Sequence, residues 1–185
     1  ALGEEARTSQ PVIEQFLVAR KGRIRRDEFG RILFLVRKEV ESLALDHTFY
    51  DLHIPSFSST SIVYKGFMLA SQLAEFYVDL KSPDYKTALA VYHQRFSTNT
   101  QPSWALAQPF RFIAHNGEIN TIAGNRNWMR ARERDLLKLP WARDNVMLQP
   151  IIMPEGSDSF SFDNALEVNL VAGRDLLQTV AMMIP

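Results

Sequence analysis

The sequence predicts a layered α+β fold, and three observations carry that expectation. Short apolar runs of strand length alternate irregularly with longer stretches at helical spacing, whereas a parallel βαβ fold would order them strictly. Breakers such as the Pro/Ser-rich stretch Ile54–Thr60 and Gly66 cut the chain between those runs. Hydrophobic residues at 46% and charged residues at 23% match a folded globular chain and exclude a disordered one.

Taken in order, Pro11–Ala19 is a short apolar stretch that suits a strand or a helix. Asp27 can cap a helix in which Ile32, Leu33, Val36, Val40 and Leu43 recur at helical spacing. Phe49–Leu52 and Ser61–Tyr64 read as strands, and Met68–Phe76 as a helical piece after Gly66. Ala88–His93 is a buried-strand candidate. Phe110–Ala114 is another, with Phe110, Phe112 and Ala114 on one face. Glu118–Glu133 is helical in composition. Ser157 or Asp158 can cap a helix covering Asn164–Ala172, and Thr179–Ile184 reads as the start of a further buried helix. Met129, Met147, Met153, Met182 and Met183 read as core filler.

The bulk properties narrow the function classes. At 185 residues the chain suits one domain, or a large part of a bigger one. Lys+Arg and Asp+Glu balance at 21 each, so no basic excess argues for nucleic acid or an anionic membrane. The basic runs Arg20–Arg26 and Asn125–Arg134 read as solvated helix faces or loops. Apolar runs such as Ile32–Val36 fall far short of the roughly 20 residues of a membrane helix. With no cysteine, the chain offers no disulfide, thiolate metal site or iron–sulfur ligand of its own, and the cytosol is the default compartment. It starts at Ala1 and ends within an apolar stretch, so an internal piece of a longer protein is expected.

The chemistry-bearing residues concentrate between Val91 and Thr121. Arg95 follows a predicted strand, and its guanidinium can grip a carboxylate through two parallel hydrogen bonds; Thr98 can add a hydroxyl. The alternative is a structural ion pair at a sheet end. Asn116 and Gly117 join a strand to a helix. The Asn116 carboxamide and the Gly117 N–H can donate to a tetrahedral oxyanion, with the helix N-terminus adding positive potential. Asn-Gly is equally at home in a plain tight turn. Asp158 can hold an ammonium group or cap a helix. His93 and His115 end predicted strands but lack a third ligand at suitable spacing, so no metal is assigned. His47 and His53 read as surface or packing residues. No phosphate loop or dinucleotide fingerprint is present.

Together these pieces resemble the glutamine amidotransferase domain of glutamate synthases, the type 2 class. The matching stretches are Pro11–Gln15, Val63–Gly66, His93–Thr100, Trp104–Met129 and Gly156–Glu167, spread over most of the chain. The resemblance implies a four-layer αββα sandwich of the N-terminal-nucleophile hydrolase type, with residues 1–185 forming part of one such domain. It implies hydrolysis of L-glutamine to glutamate and ammonia by an N-terminal cysteine, through a glutamyl thioester. Carried onto this chain, Arg95 and Thr98 would bind the glutamine α-carboxylate. Asn116 and Gly117 would form the oxyanion hole, and Asp158 would hold the α-ammonium.

The missing cysteine is the departure from the family, and it makes the chain on its own an expected non-catalyst. The resemblance places FMN, an iron–sulfur cluster and the 2-oxoglutarate site in other domains of the same polypeptide, and implies a small NADPH-oxidising subunit as a further partner. A plastid joins the cytosol as a location if the source is photosynthetic and eukaryotic. NADPH, NADH and ferredoxin stay open as reductants. Two other functions stay open: a glutamine-binding or scaffolding module without catalysis, and another type 2 amidotransferase. The Trp104–Met129 block disfavours the latter.

Overall fold

The computed structural model describes residues 2–95, 101–119, 122–142, 148–153 and 156–184. Its helices, in order, are α1 (Glu4–Thr8), α2 (Arg26–Asp46), α3 (Leu73–Phe76), α4 (Ile122–Leu136), α5 (Asp158–Val171) and α6 (Leu176–Met183). Two 3₁₀ turns, Ala70–Gln72 and Val78–Lys81, flank α3.

Helix α5 is the centre of the packing, with α2, α4 and α6 all laid against it. Its start is set by Ser157, whose hydroxyl accepts the Phe160 N–H at 3.1 Å and so satisfies one orphan donor of the first turn. Buried on nearly all sides, α5 would be expected to be apolar, yet it carries Asp163, Asn164, Glu167 and Asn169 in its buried set. Each of these polar groups is tied down. Asn169 turns back onto the Ala165 carbonyl at 2.7 Å, and the other three meet backbone amides or arginines. The apolar residues Ala165 and Val168 join Phe34, Ala142, Leu148, Ile151 and Ile152 in the main core cluster. Burying a side chain such as Ile152 or Val168 contributes about 1.5–3 kcal/mol.

Several expectations need correction. The α2 helix forms, but Asp27 sits inside its first turn, bonded by Arg25 and Arg31, and the N-cap is Arg25. Its buried face is also rotated from the predicted stripe. Leu33, Phe34, Arg37 and Lys38 are buried, while Ile32, Val36, Val40 and Leu43 are about 40% exposed. The arginine and lysine win the inner face because α5 and its surroundings supply acceptors for them there. The helix expected from Glu118 starts at Ile122, and that expected from Thr179 starts at Leu176, where Asp175 caps it. Of the expected buried α6 face only Thr179 is fully buried. Met182 is 43% exposed, Met129 and Met183 pack at the core margin, and Met147 lies outside the described residues.

Among the described residues no segment is a strand, so the layered α+β pattern and its αββα sandwich are not seen there. A strand exists only through a neighbour's ladder of hydrogen bonds, and several donors of the strand candidates are satisfied otherwise. The Val63 N–H goes to the Ser56 hydroxyl, and those of Arg111 and Phe112 go to the Asp163 carboxylate. The Phe110 N–H closes a turn on the Ile113 carbonyl at 2.9 Å. The stretch Pro11–Ala19 has neither helix nor strand, and Val12, Phe16 and Leu17 stand at least 75% exposed.

Candidate functional site

Around α5 the charged residues form one connected lattice. Arg37 donates to Glu41 at 2.7 Å and to Glu167 at 2.5 Å, and Arg111 donates to the same Glu167 oxygen at 3.1 Å and to Asn164 at 2.8 Å. Burial alone would lower the Arg37 pKa, but Glu167 and Glu41 hold it above its ordinary value. Burial pushes Asp163 up, while Arg111 and the amides of Phe112 and Arg111 pull against that. The lattice fixes the Phe110–Ala114 segment from beneath through the two amides that Asp163 accepts, at 2.8 and 3.3 Å.

The loop carrying Asn116 and Gly117 continues from that segment and is anchored on each side. Ahead of it, the Gln108 carboxamide closes on His115 twice: the His115 N–H donates to Oε1 at 2.7 Å, and Nε2 donates to the His115 carbonyl at 2.9 Å. The His115 ring nitrogen Nε2 meets the Ser159 hydroxyl at 2.7 Å, and that hydroxyl donates to Asp158 at 3.1 Å. Behind the loop, the other Asp158 oxygen accepts the Ile119 N–H at 3.3 Å. Asn116 and Gly117 lie between these anchors, both exposed, and no atom lies within 4 Å of where a Gly117 Cβ would sit. The start of α4 is farther along the chain than expected, so its N-terminus does not directly follow Gly117. Asp158 instead brings the start of α5 to the loop.

Arg95 stands in a different setting. It lines a cleft of about 820 Å³, together with Ser58–Gly66, Thr87, Leu89–Gln94 and Gln108. Its backbone N–H donates to His93 Nδ1 at 3.2 Å, and among the described residues no ion pair or side-chain hydrogen bond engages its guanidinium. Thr98 lies outside the described residues. One wall of this cleft is fixed by Gly66, where a Cβ would fall 2.5 Å from the Trp104 ring, so only glycine lets the indole pack there. The buried Lys65 beside it donates to the Ala105 carbonyl at 2.7 Å and lies 4.8 Å from the Phe110 ring centre. Burial, reinforced by Arg111, pulls its pKa down to about 7. His53 is the packing residue of the two histidines, edge-on to Phe160, and burial and the cations Lys65, Arg111 and Arg37 push its pKa down to about 3.

The structure therefore sets Asn116 and Gly117 between His115 and Ile119, which are hydrogen-bonded to Ser159 and Asp158. It connects Arg95 to that loop through Gln108, which both lines the Arg95 cleft and holds His115. Sequence reasoning missed Gln108 and the His115–Ser159 pair, because a glutamine seven residues from its partner, or a serine 44 away, leaves no periodic signature. Among the described residues no group of three His, Cys, Asp or Glu side chains is placed to hold a metal. No helix among them is long and apolar enough to cross a membrane.

The family model of the class-II glutamine amidotransferases matches residues 1–185, the whole chain. The chain belongs to that family. Class-II amidotransferases have the N-terminal-nucleophile hydrolase fold. Among relatives, ferredoxin-dependent glutamate synthase 2 of Synechocystis is 44% identical over 185 residues, covering 100% of this chain and 12% of that protein. The large chain of NADPH glutamate synthase from Azospirillum brasilense is 41% identical over 184 residues, again 100% and 12%. A chloroplastic/mitochondrial ferredoxin-dependent glutamate synthase of Arabidopsis thaliana is 40% identical over 185 residues, 100% of this chain and 11% of its own length. The amidotransferase chain thus spans about an eighth of the length of these relatives.

Proposed function

We propose that this chain is part of the glutaminase domain of a glutamate synthase, which hydrolyses L-glutamine to glutamate and ammonia. The ammonia is delivered to 2-oxoglutarate for reductive glutamate synthesis elsewhere in the protein. The observation that carries this reading is the identity of 40–44% to glutamate synthases along the entire chain.

In this assignment Arg95, with Thr98, grips the α-carboxylate of glutamine. Asp158 holds the α-ammonium, its two oxygens already oriented by Ser159 and Ile119. Asn116 and Gly117 donate to the oxyanion that forms as the side-chain amide is attacked, and a donor held in place beforehand needs no reorganisation during the reaction. The nucleophile, a cysteine by family resemblance, is not among these residues. Partners follow from the same reading: L-glutamine, the FMN/2-oxoglutarate domain of the same polypeptide, and a small NADPH-oxidising subunit where NADPH is the reductant. FMN and an iron–sulfur cluster do not fit the residues of this chain, which offers no thiolate ligand and no phosphate-binding loop, so no step here runs through them. The exposed apolar residues of Pro11–Ala19 and Leu89, Val91 and Tyr92 support a sandwich whose β-layers bury them in the longer protein.

The test is Asn116→Ala in the full-length protein. The expected result is a kcat for glutamine lowered by roughly 10²–10³ with KM little changed, because that bond strengthens only in the transition state. Ammonia supplied directly bypasses the amide chemistry, so ammonia-dependent glutamate formation is expected to survive. Equal loss of both activities would remove Asn116 from the oxyanion assignment.

A further inference from the structure

We infer that Gln108 is a positioning residue for the oxyanion donors, its side-chain carboxamide setting the orientation of the Asn116–Gly117 backbone. The inference rests on the assignment of Asn116 and Gly117 as those donors. Its basis is the two-pronged contact with His115, in which Gln108 accepts from the N–H at 2.7 Å and donates to the carbonyl at 2.9 Å. The His115 carbonyl and the Asn116 N–H and Cα belong to one planar peptide unit, so fixing the carbonyl fixes the plane from which the Asn116 carboxamide and, one peptide on, the Gly117 N–H extend. A single side chain thereby performs what a neighbouring strand would do for an extended segment. The remaining anchors, Ser159 on the His115 ring and Asp158 on the Ile119 N–H, hold the loop at other points but not at this peptide plane. Gln108 also lines the cleft that contains Arg95. It thus both holds His115, next to Asn116, and lines the Arg95 cleft.

Glutamine is demanded by the geometry. Asparagine is one methylene too short to reach both groups from the same backbone position. Glutamate keeps the acceptor for the His115 N–H but sets a carboxylate oxygen against the His115 carbonyl, where two acceptors repel.

The experiment compares Gln108→Ala, Asn116→Ala and the double variant in the full-length protein, with glutamine and with ammonia as nitrogen donors. Gln108→Ala is expected to lower the glutamine kcat roughly ten- to thirtyfold. KM for glutamine and the ammonia-dependent rate should stay within about twofold. In the Asn116→Ala background the further loss from Gln108→Ala should shrink, since a positioning residue acts through the group it positions. Should Gln108→Ala be insoluble, Gln108→Glu carries the same test with the side-chain length preserved. If Asn116→Ala loses kcat selectively but the Gln108 variants lose nothing, or lose both activities together, the Gln108 inference is overturned and the oxyanion assignment stands. If Asn116→Ala shows no selective loss, that assignment falls and the inference falls with it.

Discussion

The half of the molecule built on α5 and the half built around the Arg95 cleft solve opposite problems. On the α5 side, charges are buried and paired: Arg37 is 1% exposed and Glu167 8%, and the two terminal nitrogens of Arg37 donate to Glu41 and Glu167 while its buried Nε has no partner. On the cleft side, Lys65 apart, the charges named are solvated. The Lys81–Glu75 pair at 2.6 Å is about half exposed, and Arg95 presents its guanidinium at the surface. The contrast teaches where preorganisation lies. The Asn116–Gly117 loop leans on the buried lattice, whereas among the described residues the Arg95 guanidinium has no partner.

The sharpest way to break this comparison is to remove the hinge of the lattice. Glu167→Ala leaves two buried guanidiniums facing each other across a cavity, and is expected to cost about 3–5 kcal/mol of stability. Lys81→Ala, which opens an exposed pair on the cleft side, should leave the Tm unchanged. Chemical unfolding of both variants measures the difference. Similar losses in the two would mean that burial does not separate the halves energetically.

Arg95→Lys tests the cleft itself, with a smaller effect. On the proposed assignment, losing the two-pronged contact weakens glutamine binding by on the order of 2 kcal/mol, about thirtyfold, while Tm stays within a degree or two. A fall in Tm with KM unchanged would instead place Arg95 in the structural class and move the carboxylate grip elsewhere.

These two halves were also unequally legible in the sequence. A helix after a cap at Ser157 or Asp158 could be read, because capping is a local signal, although α5 starts at Asp158, ahead of the expected Asn164. The existence of α2 was legible from its spacing, but its buried face was not. Arg37 and Lys38 turn inward only because Glu167, 130 residues away, and the Pro150 carbonyl receive them. The strand-like segments could be recognised as apolar, yet the sequence does not say what satisfies their amides. Asp163 does so for Arg111 and Phe112 across about fifty residues. Asn116 and Gly117 could be named from their types, while Gln108 acquires meaning only through the two bonds that the folded chain closes.

The smallest expected effect concerns Lys65, on the boundary between the halves. Its pKa is ordinarily 10.5 and is pulled to about 7 in the folded protein, chiefly by burial and then by Arg111. Between pH 7 and 10.5 the unfolded chain therefore holds a proton that the folded chain has released, and stability rises with pH across that window. The slope approaches about 1.4 kcal/mol per pH unit at most, and below pH 7 this group adds no further change. His53 acts elsewhere. Held down at about 3 against an ordinary 6.5, it costs stability progressively as pH falls from 6.5 towards 3. Tyr64 and Tyr77, both raised, act only above pH 10, whereas Lys38, also lowered by burial, acts in the same sense as Lys65 below 10.5, so it is the difference between variant and wild type that isolates Lys65. Lys65→Met should flatten the rise between pH 7 and 9 and stabilise the protein by about 1 kcal/mol at pH 6.5, the lost Ala105 bond and Phe110 contact offsetting part of the gain. Unfolding free energies of wild type and variant at pH 6.5, 8 and 9 measure both effects. A variant that keeps the wild-type slope would show that Lys65 stays charged in the folded state, held by the Ala105 carbonyl and the Phe110 ring against its burial.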